Sequence, residues 1–216
     1  AASVQDAPVP PAAQDGAAQA RAAATLPQLP PYQAGAAAGT AEADQGGRTG
    51  EARPPVTTAQ SRQGEAMHQL LEQAGVTGMA PAGGGWPARR LAQLARDFDI
   101  TPDAAAQAAA MARRILQGEG AWAWDAAQVE LAVNEAPLVH QGQGLRLDRL
   151  VRLHQPRQGA RWWVLDYKTA ATPERQPQLI AQLQRYRQAV QAQMPGEAVG
   201  AAFLSGDGRL VVLEAG

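Results

Sequence analysis

The segment WWVLDYKT, residues 162–169, carries an aspartate and the chain's only lysine two positions apart. In an extended strand successive side chains alternate, so Asp166 and Lys168 share one face while Leu165 and Tyr167 take the other. Eighteen of the 19 basic residues are arginine, in a composition skewed towards alanine (49 residues) and away from lysine, asparagine and isoleucine. A solitary lysine in such a chain marks a place where a compact ammonium is wanted and a planar guanidinium would not serve. A carboxylate beside an ammonium can hold a cation, orient a water and steady negative charge that builds during a reaction.

A second carboxylate is brought to the same face by the preceding segment. Leu145–Leu153 alternates as a strand, and the seven residues His154–Ala160 connect it to Arg161–Thr169. The simplest antiparallel register sets Leu153 opposite Arg161 and, in step, Asp148 opposite Asp166. Directly opposed residues point the same way with Cβ atoms about 4.5–5.5 Å apart. Two like charges at that separation repel unless a cation lies between them, and a hard ion such as Mg²⁺ prefers oxygen ligands. The alternative is a surface hairpin with Asp and Lys in an ordinary cross-strand salt network, because a seven-residue loop does not fix pairing firmly.

Other candidates stand around this pair. Gln182 and Tyr186 are i, i+4 partners on one side of a helix, although Tyr186 also lies on its apolar stripe. Glu135, two residues before Pro137, is an acid inside an otherwise apolar segment, and His68 sits one step off the apolar face of its helix.

The elements that must position these residues follow from periodicity. SRQGEAMHQLLEQAG places Met67, Leu70, Leu71 and Ala74 on one helical face and ends at Gly75, read as a C-cap. A second helix spans about 87–97 with Leu91, Leu94 and Ala95 inward. A third opens with Thr101 as N-cap, Pro102 and Asp103, and stops at Gly118. Strands follow at Val129–His140, Leu145–Leu153 and Arg161–Thr169, then a helix from Pro177 to Met194. Two short strands, Ala198–Leu204 and Arg209–Glu214, are joined by SGDG. The expected fold is an α/β domain with a mixed central sheet flanked by helices. Residues 59–127 would form its helical part and 128–216 its sheet core. Residues 1–58, with eight of the 16 prolines and one aromatic residue, read as a disordered arm.

Composition excludes several classes. With no cysteine there is no disulfide scaffold, thiolate zinc site or cysteine-ligated iron–sulfur cluster. No run is long and apolar enough to span a membrane, and no partner membrane is expected. The net charge of −1 gives no overall attraction to nucleic acid.

Taken in order, GEAMHQLLE, NEAPLV, GLRLDRLVRL, WWVLDYKTA and QLQRYRQAV resemble the successive motifs of the RecB-type branch of the PD-(D/E)XK nucleases. The likeness is to the C-terminal nuclease domain of UvrD-like helicase–nucleases, and it covers residues 61–216. It implies a restriction-endonuclease-like core and a catalytic set of Asp148, Asp166, Lys168 and Glu135. His68, Asp148, Asp166 and Tyr167 would hold Mg²⁺, with Mn²⁺ as a substitute. Gln182, Tyr186 and Arg149 would touch DNA, within a group that also holds Arg146, Arg152, Arg161, Arg175, Arg185 and Arg187. The absence of cysteine excludes the iron–sulfur subtype. The resemblance further implies single-stranded DNA as substrate, a helicase motor in a missing N-terminal part of the chain, a second subunit, and a place in the bacterial cytoplasm. A catalytically silent DNA- or partner-binding module of the same fold is the alternative.

Overall fold

The computed structural model describes residues 58–77 and 85–214, so the arm read over 1–58 lies outside the described residues but for Thr58. Three helices come first: α1 Ala59–Thr77, α2 Ala88–Asp97 and α3 Pro102–Gln117. After a single 3₁₀ turn, Ala121–Trp124, the strands β1 Val129–His140, β2 Gln143–Arg157 and β3 Ala160–Lys168 follow. Helix α4, Pro177–Gln193, then leads into β4 Val199–Ser205 and β5 Leu210–Val212. The five strands form one mixed sheet in the order β1-β2-β3-β4-β5, with β3 and β4 parallel and every other neighbouring pair antiparallel. Among the described residues no helix is long and apolar enough to cross a membrane.

Each face of the sheet buries its own core. Met67, Leu70 and Leu71 of α1, with Ala105, Ala112 and Ile115 of α3, pack on Val151, Trp163, Leu165 and Tyr167. On the other face Leu183 and Val190 of α4 meet Leu150, Trp162, Val164 and Phe203. Because β3 is covered on both faces, Ala160–Tyr167 is buried throughout apart from the half-buried Arg161. The capping signals act as expected at α3: Thr101 Oγ1 accepts from the Ala104 amide at 3.1 Å, Pro102 takes the first helical position, and Gly118 closes the helix.

Two expectations about local structure change. Helix α1 continues past Gly75 to Thr77, so that glycine is not a C-cap. A Cβ at position 75 would lie 2.5 Å from both the Arg149 guanidinium and the Asn134 amide, so close approach is what requires glycine there. The seven-residue loop 154–160 contracts to a two-residue turn, Gln158-Gly159, with φ of 49° and 80°. Paired positive φ values suit the right-handed twist of the flanking strands. The extra residues are absorbed as a register shift between Arg152 and Arg157, where Pro156 needs no ladder partner. Inside that shift Arg149–Arg152 pair with Leu165–Trp162, the register expected from sequence.

The β2–β3 ladder ends at Arg149 opposite Leu165, whereas β2 stays paired with β1 down to Gln143. The strands therefore part at Asp148 and Asp166. On both arms of the β1–β2 hairpin the inward alternation slips by one residue at the same level. Leu131 and Val133, then Ala136 and Leu138, pack towards α4; on β2, Leu145 and Leu147, then Leu150, do so. Since both strands slip together, Asn134 opposite Arg149 and Ala136 opposite Leu147 keep one register. Glu135 and Asp148 lie at the slip, and Glu135 adopts φ 49°, which β-strands do not use.

Candidate active site

The fork between β2 and β3 is filled by polar side chains from four elements. Asp148 Oδ2 accepts the Tyr167 amide at 2.7 Å, taking the hydrogen bond that a continuing β2 ladder would otherwise have made. His68 descends from α1: its Nε2 lies 3.1 Å from the Tyr167 carbonyl and its Nδ1 3.6 Å from Asp148 Oδ1. A carbonyl only accepts, so Nε2 carries the proton and Nδ1 presents a lone pair to the carboxylate. Burial, and then the nearby Lys168 ammonium, lower the His68 pKa and favour this neutral form.

One ligand atom each from His68, Glu135 and Asp148 lies within 4.8 Å of the others. Two electron-rich atoms, Nδ1 and Oδ1, face each other with no proton between them, which a cation would stabilise. The donor set of two carboxylates and one imidazole fits a divalent ion, with oxygen ligands suiting Mg²⁺ and the imidazole widening the fit to Mn²⁺. Arg146 Nε, 2.6 Å from Glu135 Oε2, holds that carboxylate on its outer side.

Asp166 does not enter this group. It is 3 % exposed, and its Oδ2 faces Lys168 Nζ at 2.6 Å in an ion pair that lacks hydrogen-bonding geometry. Burial pushes the Asp166 carboxyl up to about 7, with the Asp148 charge as the second cause; burial likewise raises Asp148 to about 6, against the pull of Lys168. Tyr167 contributes to the fork only through its backbone, since its ring belongs to the α1/α3 core.

Helix α4 covers the fork from the opposite face. Gln182 Nε2 donates to Tyr186 Oη at 3.0 Å. Burial, then the Asp166 and Asp148 charges, push the Tyr186 phenol up to about 12, so it stays protonated.

The expected DNA contact at Arg149 is corrected. Arg149 is 2 % exposed, stacks over Trp124 at 4.7 Å, and donates from Nη2 to the Ala123 carbonyl at 2.8 Å and from Nη1 to Asn134 Oδ1. Its guanidinium points into the α1/α3 side, where Trp124, the Ala123 carbonyl and Asn134 receive it. Asn134 in turn donates to the Glu72 carbonyl at 3.0 Å, one helical turn beyond His68. Trp124 stacks on Tyr167 at 6.1 Å, and Tyr167 meets His68 edge to face at 5.3 Å. Trp124 and Asn134 are the supporting residues that sequence reasoning missed; Asn134 carried a signal, as the chain's only asparagine. Of the other arginines grouped with the site from sequence, Arg152 and Arg161 both pair with Glu130, towards the opposite end of the strands.

A mixed sheet with helices on both faces, opened at one strand end around two carboxylates and a lysine, is a restriction-endonuclease-like fold. The sequence profile of the PD-(D/E)XK nuclease superfamily matches residues 44–212, and the chain belongs to that superfamily, whose members are typically nucleases that use divalent metals. No curated protein matches the chain.

Proposed function

We propose that the chain is a Mg²⁺-dependent deoxyribonuclease domain that hydrolyses phosphodiester bonds of single-stranded DNA, with Mn²⁺ as a substitute metal. In this reading it is the nuclease part of an ATP-dependent helicase–nuclease of the RecB-type branch. Its work would be the repair and recombination of double-strand breaks, with the motor and a partner subunit elsewhere. The observation that supports it most is the fork itself. His68, Glu135 and Asp148 offer converging ligand atoms, and the Asp166–Lys168 pair stands beside them.

A divalent ion held there supplies an activated water and neutralises charge at phosphorus. Asp148 and Glu135 bring the negative charge that holds it, and His68 adds a neutral nitrogen. Lys168, with three donors on a flexible stem, orients the attacking water and donates to a non-bridging phosphate oxygen; Asp166 keeps its ammonium in place. Tyr186 and Gln182 bound the opposite side of the fork, where the substrate backbone lies.

The test is cleavage of end-labelled single-stranded DNA by the purified chain with Mg²⁺, Mn²⁺ or EDTA. The expected result is cleavage with either metal, none with EDTA, and a loss of at least about a hundredfold in Asp166→Ala. Cleavage by Asp166→Ala at the wild-type rate, or by the wild type in EDTA, contradicts the reading.

A further inference from the structure

A second recess adjoins the fork without contributing to it. Between α1, α3 and the residue that follows Lys168 lies a groove of about 270 Å³ lined by Gln60, Gln63, Gln107, Met111, Arg114 and Thr169, and no acidic side chain lines it. Gln63 Nε2 donates to the Ala104 carbonyl at 3.2 Å and to Gln107 Oε1 at 3.0 Å. Because the Ala104 carbonyl can only accept, the orientation of Gln63 is fixed, and that of Gln107 with it. What remains unspent is an acceptor, Gln63 Oε1, and a donor, Gln107 Nε2, on two amides joined by a hydrogen bond.

Arg114 supplies the charge. It is exposed, its Nε donates to the Gly206 carbonyl at 2.7 Å, and among the described residues no carboxylate lies within 4 Å of its guanidinium. Gly206 in turn donates its amide to the Lys168 carbonyl at 2.8 Å, so the Arg114 anchor and the catalytic lysine share one piece of backbone. A fixed amide pair, an apolar floor at Met111 and an unneutralised guanidinium make up the equipment for one unpaired nucleotide: base edge, base face and phosphate.

We propose that this groove is a subsite for a nucleotide adjacent to the scissile phosphate, with Arg114 on a backbone phosphate and Gln63 and Gln107 on the base edge. The proposal rests on the nuclease reading above and adds its strand path. Every base presents an adjacent donor and acceptor on the edge that pairing would use, so the amide pair accepts any base without choosing one. In a duplex that edge is occupied, and the subsite therefore selects single strands.

The experiment is fluorescence anisotropy of a labelled mixed-sequence single-stranded oligonucleotide and of its duplex, with Ca²⁺ in place of Mg²⁺, on wild type, Arg114→Gln and Gln107→Leu. Mg²⁺-dependent cleavage and calorimetric Mn²⁺ binding are measured on the same samples. Arg114→Gln is expected to weaken single-strand binding by about tenfold and to raise KM similarly, with Mn²⁺ binding unchanged. Gln107→Leu, which leaves the Arg114–Gly206 bond intact and so guards against a folding defect, is expected to weaken single strands and leave duplex binding as it is. If wild type cleaves DNA and both variants bind single strands as it does, the subsite is overturned and the nuclease reading stands. If wild type neither binds nor cleaves DNA, both fall.

Discussion

At the residue scale the site is a contest between burial and charge. Burial pushes the carboxyls of Asp148 and Asp166 up to about 6 and about 7, above the value near 4 expected in the unfolded chain. Between those values the folded chain binds more protons than the unfolded one. Its stability without metal therefore falls as pH rises from 4 to 7, and it falls no further from this cause above that range. A cation held by His68, Glu135 and Asp148 offsets the Asp148 part of that penalty directly. In differential scanning calorimetry the metal-free chain is thus expected to melt lower at pH 8 than at pH 5. Added Mn²⁺ should raise the melting temperature strongly at pH 8 and little at pH 5; an equal rise at both would contradict it. His68→Ala tests the imidazole separately, with Mn²⁺ affinity expected to drop about 10–100-fold by calorimetry.

At the element scale the question is what holds α1 in register with the hairpin. His68 is useful only if its turn of helix is fixed against Asp148, and Asn134 and Arg149 do this from adjacent strands. Arg149 is a buried charge whose removal takes their donor from the Ala123 carbonyl and from Asn134 Oδ1. Arg149→Ala is therefore expected to cost about 3–5 kcal/mol in urea unfolding, and Gly75→Ala about 1–3 kcal/mol by forcing the same groups apart. Both should also weaken Mn²⁺ binding, since they shift the helix that carries His68; loss of stability with unchanged metal affinity would separate the two roles. The sequence made part of this legible. Alternation foretold Asp166 beside Lys168, and the expected β2–β3 register holds from Arg152 to Arg149, one step short of pairing Asp148 with Asp166. Alternation could not foretell the coupled slip at Glu135 and Asp148, because a positive φ at a glutamate leaves no compositional trace. Nor could it place Arg149: it stands beside Asp148, and whether a guanidinium reaches out or in depends on Trp124, brought up by a 3₁₀ turn with no periodic signal.

At the scale of the whole molecule, the order helices, three strands, helix, two strands was readable because most elements keep their period along most of their length, β1 and β2 slipping only once each. The two-sided core follows from the apolar run in β3. The net charge of −1 leaves little overall attraction to a phosphate backbone. Several arginines are spent internally, as Arg152 and Arg161 are on Glu130 and Arg209 on Glu174. Binding of single-stranded DNA is accordingly expected to fall with salt only gently, with a log–log slope of about −1 to −3. A slope near −6 would contradict this expectation.

The most direct measurement at the centre of this account is the cleavage rate of Lys168→Arg beside its Mn²⁺ affinity. The substitution keeps the positive charge next to Asp166 and alters only its shape and donor geometry. Mn²⁺ binding is expected to stay close to wild type while cleavage of single-stranded DNA slows by at least about a hundredfold. Cleavage at the wild-type rate with metal bound would contradict this.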